Sequence, residues 1–193
     1  MNRLRISAVT AHMESKNRRG DDRRIAAQAL RRAQMCLRDG DNAAAIVLTE
    51  KLLGDDPSHL GALEIQAKAQ WKGGQYEPLL LTLQDLIRVN PYESGYHALR
   101  GAALQCLGRY GEATKAMERV EDSPEAAARI RDLQGWQSDL VIEMSRTDPV
   151  LRAHLRQNAA AACAARGFKI PAVRPLRAVA RVAEPTSVQQ RPS

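Results

Sequence analysis

Aromatic side chains are scarce in this sequence: one Phe, four Tyr and two Trp among 193 residues. Small aliphatic residues dominate instead, and no alternating apolar–polar stretch is long enough for a strand, so the composition predicts an all-α chain. Cysteine is equally sparse. Cys36, Cys106 and Cys163 are odd in number, far apart and form no Cys-x-x-Cys pair, which excludes a disulfide framework or a zinc site and points to a reducing compartment. No run approaches the roughly 18 apolar residues of a membrane span. The apolar positions of residues 1–13 are broken by Arg3, Arg5 and His12, so no secretory signal is read, and a cytoplasmic location is expected with organelle targeting as the alternative.

The motifs of catalysis are missing too. There is no Gly-rich dinucleotide loop, phosphate loop, His-Glu-x-x-His or nucleophile elbow. His12, His59, His97 and His154 have no carboxylate or Cys at ligand spacing. No catalytic residue, metal ligand or cofactor is assigned, and the chain is read as a non-enzyme.

What is present is charge at the ends and a repeat in the middle. The net charge is +7. Residues 1–24 hold seven Lys/Arg against three acids, residues 166–193 hold six against one, and the middle is slightly acidic. Such ends attract acidic protein, nucleic acid or anionic membrane in a salt-sensitive way, or are solvated tails. A near-neutral middle without interleaved aromatic and basic residues argues against nucleic acid.

Gly40, Gly74 and Gly108 stand 34 residues apart, and Pro57 and Pro91 repeat the step. A period of this length is one helix hairpin, unable to bury its own apolar face, so that units must stack. The register gives units 23–56, 57–90 and 91–124. First helices are predicted over 25–38, 60–72 and 94–107, and second helices over 43–53, 78–89 and 112–120. Asp56-Pro57, Asn90-Pro91 and Ser123-Pro124 mark the hairpin ends. Small residues at Ala33, Ala67 and Gly101 keep the same step, as close helix approach requires.

These residues resemble the tetratricopeptide repeat family. The third unit shows it best, with Gly101, Leu104, Gly108, Tyr110 and Ala113; the second supplies Ala67, Gly74, Tyr76 and Pro91, the first Ala33, Gly40, Ala45 and Pro57. The array departs from the family where Ala29, Leu63 and His97 replace its early Trp, where Arg32, Gln66 and Arg100 replace its next Leu, and at Leu79. The resemblance implies an α-solenoid of three hairpins with a concave wall that binds protein.

After Pro124 the glycine step fails, since position 142 is Ile. Ala126, Ile130, Leu133, Gln137, Leu140 and Met144, widened by Trp136 and Val141, predict one long helix over 125–146. A further helix is predicted from Asp148-Pro149 to Gly167. This pair, 125–166, is read as the cap of the array. Residues 1–22 are read as a basic, flexible segment, and 167–193 as a basic, Pro-containing, disordered tail. In the tail, alternating apolar and basic groups from Phe168 to Val182 also allow a peptide that docks on a partner or folds back on the chain.

In the family the concave wall is lined by the first helix of each hairpin. The corresponding positions here include Leu30, Arg31, Gln34, Leu37 and Arg38, then Glu64, Ile65, Lys68, Trp71 and Lys72, then Leu99, Gln105 and Cys106. The candidate partner-binding residues are Arg31, Gln34, Arg38, Lys68, Trp71, Lys72 and Gln105, a basic stripe beside an aromatic anchor suited to an acidic or amphipathic segment. The alternative is that Trp71 packs on its neighbouring helix and the charges are solvated. Leu30, Gln34, Ile65, Gly95 and Leu99 stand where some relatives clamp a chaperone's C-terminal carboxylate, and they do not supply that clamp. The function read is a protein-interaction adaptor. The alternative is a small chaperone similar to those of type III secretion, which the sequence pI of about 9.7 disfavours.

Overall fold

The computed structural model describes residues 23–120 and 123–170; the readings of residues 1–22 and 171–193 lie outside them. Every regular element among the described residues is an α-helix. They are α1 (23–39), α2 (Asn42–Asp55), α3 (Leu60–Lys72), α4 (Tyr76–Val89), α5 (Ser94–Cys106), α6 (Tyr110–Met117), α7 (Pro124–Thr147) and α8 (Pro149–Ala165). The chain forms two compact units that divide between Tyr92 and Glu93, so α1–α4 and α5–α8 are taken in turn.

The repeating glycines are explained by the backbone. Gly40, Gly74 and Gly108 have φ of 84°, 69° and 72°, the left-handed region that costs an L-residue roughly 1–2 kcal/mol. A Cβ at any of the three would meet nothing within 4 Å, so conformation, not space, fixes the residue. Each left-handed turn brings the following N–H back to the helix end: Asp41 N–H donates to Cys36 O at 2.9 Å, Gln75 N–H to Gln70 O at 2.9 Å and Arg109 N–H to Leu104 O at 2.8 Å. Helix starts are closed by side chains. Asp41, Ser123 and Asp148 accept from the N–H groups of Ala44, Ala126 and Leu151 at 2.9, 3.1 and 2.9 Å, each capping bond contributing about 1 kcal/mol. Pro57 and Pro91 hold Asp56 and Asn90 out of helical geometry at the ends of α2 and α4.

In the first unit, Ala33 on α1, Ala45 on α2, and Ile65 and Ala69 on α3 form a cluster covered by Leu30, Cys36, Leu37, Ile46 and Leu48. Leu79, Leu83 and Leu86 of α4 are fully buried, worth about 1.5–3 kcal/mol each. A buried polar pair joins α3 to α4, Thr82 Oγ1 donating to Gln70 Oε1 at 2.8 Å.

In the second unit, Gly101 of α5 is small because Met117 of α6 lies where a side chain would start: a Cβ there would be 2.8 Å from Met117 Cε. α7 buries Ala126, Leu133, Gln137, Val141 and Ser145, and Val141 meets Leu151, Leu155, Ala159, Ala162 and Cys163 of α8. Ala126, Leu133, Gln137 and Val141 belong to the predicted stripe, Ser145 is added to it, and its apolar members Trp136 and Leu140 fall at the edge. Trp136 and Leu140 are 43% and 39% exposed, with the Arg129 guanidinium 5.3 Å from the centre of the Trp136 indole. α8 is interrupted at Asn158, whose φ −148° and ψ 90° are extended and whose Oδ1 caps the second half by accepting from Ala161 N–H at 3.1 Å.

Candidate functional site

Six of the seven predicted partner-binding residues lie in the first unit. Arg31, Gln34 and Arg38 recur at three- and four-residue steps along α1, and Lys68, Trp71 and Lys72 do so on α3, so each set shares a helix face. Arg31, Gln34, Arg38, Lys68 and Lys72 are exposed, and Trp71 is half-buried. Long basic side chains with solvated heads and an indole held part-way into the surface can meet an acidic segment carrying one apolar anchor.

Two of the six also hold the fold together. The Trp71 ring packs edge-to-face on Tyr76 of α4, centroids 5.6 Å apart at 65°, a contact worth roughly 0.5–1.5 kcal/mol beyond burial. Thus the indole is oriented by its own hairpin, as the alternative reading of the sequence has it, while part of its surface stays open. Lys72 Nζ donates to Leu37 O at 3.3 Å. That carbonyl lies in the last turn of α1, where the helix dipole favours a cation, so Lys72 ties α3 to the end of α1.

Other wall positions turn inward. Ile65 is 5% exposed within the α1–α3 cluster, and Leu30 and Leu37 pack against the same cluster. Ile65 is closed off in the core, while Leu30 and Leu37 are partly buried and hold the helices together. The reason is the rotation of each helix about its axis, which a single-position alignment leaves open.

The seventh residue, Gln105, belongs to α5 of the second unit. Its Oε1 is buried with no hydrogen-bond partner among the described residues. On the same helix Cys106 is exposed, and His97 is held below its ordinary value of 6.5, first by burial and then by Arg100 and Arg119.

A separate cavity of about 870 Å³ opens between α1 and α2, bordered by Ile25, Ala29, Leu30, Leu48, Leu52 and His59 among others; none of the seven residues lines it. Half of its lining residues are charged or polar, among them Arg32, Lys51 and Asp55, and nothing in the residue pattern marks them out. Among the described residues, no three His, Cys, Asp or Glu side chains are grouped to hold a metal ion, and no helix is long and apolar enough to cross a membrane.

No protein-family model matches the sequence, and no curated protein does. Solved structures do. The first TPR domain of Spaghetti (RPAP3), bound to the HSP90 peptide SRMEEVD, is 21% identical with a TM-score of 0.50, over 56% of this chain and 89% of that one. The NMR structure of the first TPR domain of human RPAP3 is 21% identical with a TM-score of 0.49, over 56% and 88%. A thermophilic TPR protein of Thermus thermophilus is 23% identical with a TM-score of 0.43, over 78% of each chain. Glycine-ended hairpins at a 34-residue step and the likeness to the Spaghetti domain agree: this chain has the tetratricopeptide-repeat fold.

Proposed function

We propose that the protein is a non-enzymatic interaction module that holds an acidic or amphipathic segment of another protein against the α1–α3 face. The observation that carries this reading is the half-buried Trp71, oriented by Tyr76, on the helix that also exposes Lys68. Arg31 and Arg38 of α1 add positive charge, Gln34 adds an amide, and Lys72 braces α1. The basic groups speed encounter with an acidic segment and the indole anchors it. Gln105, on α5 of the second unit, is a candidate contact of that unit by itself and no part of the α1–α3 face. The likeness to a domain bound to an HSP90 peptide supports protein binding as the class of activity. It does not support the same ligand, since Ile65, one of the positions at which some relatives clamp a carboxylate, is inside the core.

The test is selection of peptides from a random displayed library on the full chain, then measurement of the enriched peptides on Trp71→Ala/Lys68→Glu. Enriched peptides should carry excess Asp and Glu around an apolar residue and lose at least about tenfold in affinity, the effect of about 1.4 kcal/mol, with helicity unchanged. Peptides without acidic bias, or equal affinity for the double variant, would refute the α1–α3 face. A chain that stays soluble only with one abundant apolar client would instead identify a chaperone.

A further inference from the structure

The chain beyond α8 turns back on the second unit. Gly167, at φ 78°, ends the helix, and Phe168 N–H donates to Cys163 O at 2.9 Å. The next residues run across α6 and α7 in non-helical conformation. Lys169 N–H donates to Gln137 Oε1 at 2.7 Å, Lys169 Nζ pairs with Glu118, and Phe168 and Ile170 pack on the α7–α8 cluster.

The surface that receives this strap is built for a main chain. Gln137 is fully buried, and its amide nitrogen is fixed by Thr114 Oγ1 at 3.1 Å and Leu133 O at 2.9 Å, which aims its oxygen at the strap. Gly111 is buried in the first turn of α6, where nothing in the helix itself requires a glycine. Yet a Cβ there would overlap Gly167 O and lie 2.9 Å from its carbonyl carbon. The Gln137 amide nitrogen already joins α7 to Thr114 of α6, so what that packing leaves unexplained is the buried Gln137 Oε1 and the absence of a side chain at position 111. Together with Glu118 they describe a receptor for glycine, aromatic, basic, aliphatic in a non-helical segment.

The strap's hold is slight. Phe168, Lys169 and Ile170 are each only half-buried. The Lys169–Glu118 pair is about 40% exposed on both sides, so solvent screens it. Gly167 joins the strap to the end of α8, so displacing residues 168–170 requires no bond within the helix body to break. We propose that the α6–α7 cleft is a linear-motif binding site, occupied in cis by Gly167–Ile170 and taken by a partner protein's non-helical segment of the same glycine–aromatic–basic–aliphatic pattern. The strap acts as a tethered competitor that sets the partner concentration required.

The probe is a fluorescent peptide matching residues 166–172, titrated by anisotropy against the full chain and against a full chain released by Phe168→Ala/Ile170→Ser. The released chain should bind at least about tenfold tighter, because the competing strap is weakened. Adding Gly111→Ala should abolish binding. A peptide with Glu at the Lys169 position should bind several-fold more weakly, and Glu118→Lys should restore it. A released chain that melts cooperatively but binds no peptide overturns the proposal, as does binding insensitive to Gly111→Ala. Hydrogen exchange of the wild type decides the matter if the released chain does not fold. The Lys169 amide should exchange at least about tenfold faster than that of Val141; equal rates mean the cleft opens only on global unfolding, which also overturns it. A wild-type dimer with exchanged straps in solution would assign the cleft to a second copy and refute a partner's segment.

Discussion

Gln137 offers the sharpest test of how the second unit is held. It is fully buried and makes three bonds: Nε2–H to Thr114 Oγ1 at 3.1 Å, Nε2–H to Leu133 O at 2.9 Å, and Oε1 from Lys169 N–H at 2.7 Å. Thr114 Oγ1 donates onward to Tyr110 O at 3.0 Å. Gln137→Leu keeps the volume and removes all three bonds. Leu133 O still accepts its helical N–H, and the Thr114 hydroxyl still donates to Tyr110, so the group left unsatisfied is Lys169 N–H. That omission costs about 1–3 kcal/mol, partly offset by the new apolar burial, and the expected loss is roughly 1–2 kcal/mol. Thr114→Val strands one buried Nε2–H and costs about 1–3 kcal/mol. In the double variant that stranded donor no longer exists, so its cost should be close to that of Gln137→Leu alone, a coupling equal in size to the Thr114→Val loss, about 1–3 kcal/mol. Urea unfolding followed by Trp136 fluorescence, in a Trp71→Phe background, reads the second unit alone. Single losses that add to within about 0.3 kcal/mol, or a Gln137→Leu chain more stable than wild type, would refute the reasoning.

Gly101→Val should destabilise the second unit by about 1–3 kcal/mol, since its Cβ would sit 2.8 Å from Met117 Cε; Met117→Ala in the same chain should recover part of the loss in thermal melts. His97 gives a pH signature. Its folded value lies below 6.5, so above 6.5 both states are neutral, and as the pH falls the unfolded chain protonates first. Stability should therefore drop between pH 7 and 5, and His97→Gln should drop less; equal slopes in urea titrations at the two pH values would show that His97 is not the group responsible.

Much of the helical order is legible in the residue pattern. α3 runs over the residues the register assigns, and α2, α4 and α5 differ by at most two residues at an end. α6 starts two residues early, at Tyr110, and stops at Met117. The glycine step and the prolines act through the local backbone, which is why they can be read without a structure. Most of the buried face of α7 is legible as well; what the period leaves open is that Val141 is buried while Trp136 and Leu140 are partly exposed, and only packing on α6 and α8 decides that. The register puts Ile65 on the wall for the same reason. The alternation that starts at Phe168 admits a fold-back beside the tail reading, and Phe168–Ile170 do pack on the second unit; which surface receives them is set by residues more than thirty positions away.

An all-α repeat of glycine-ended hairpins follows from the residues alone, because φ at Gly40, Gly74 and Gly108 and the restriction before each proline are properties of a residue and its immediate neighbours. The same register puts Arg31, Arg38, Lys68 and Trp71 on first helices. Tertiary packing settles the rest: which of these side chains are open, which brace the fold as Lys72 does, and that a buried glutamine and a helical glycine receive the chain's own strap. Those outcomes depend on atoms more than twenty residues apart arriving within a few ångströms, and no local periodicity encodes that distance.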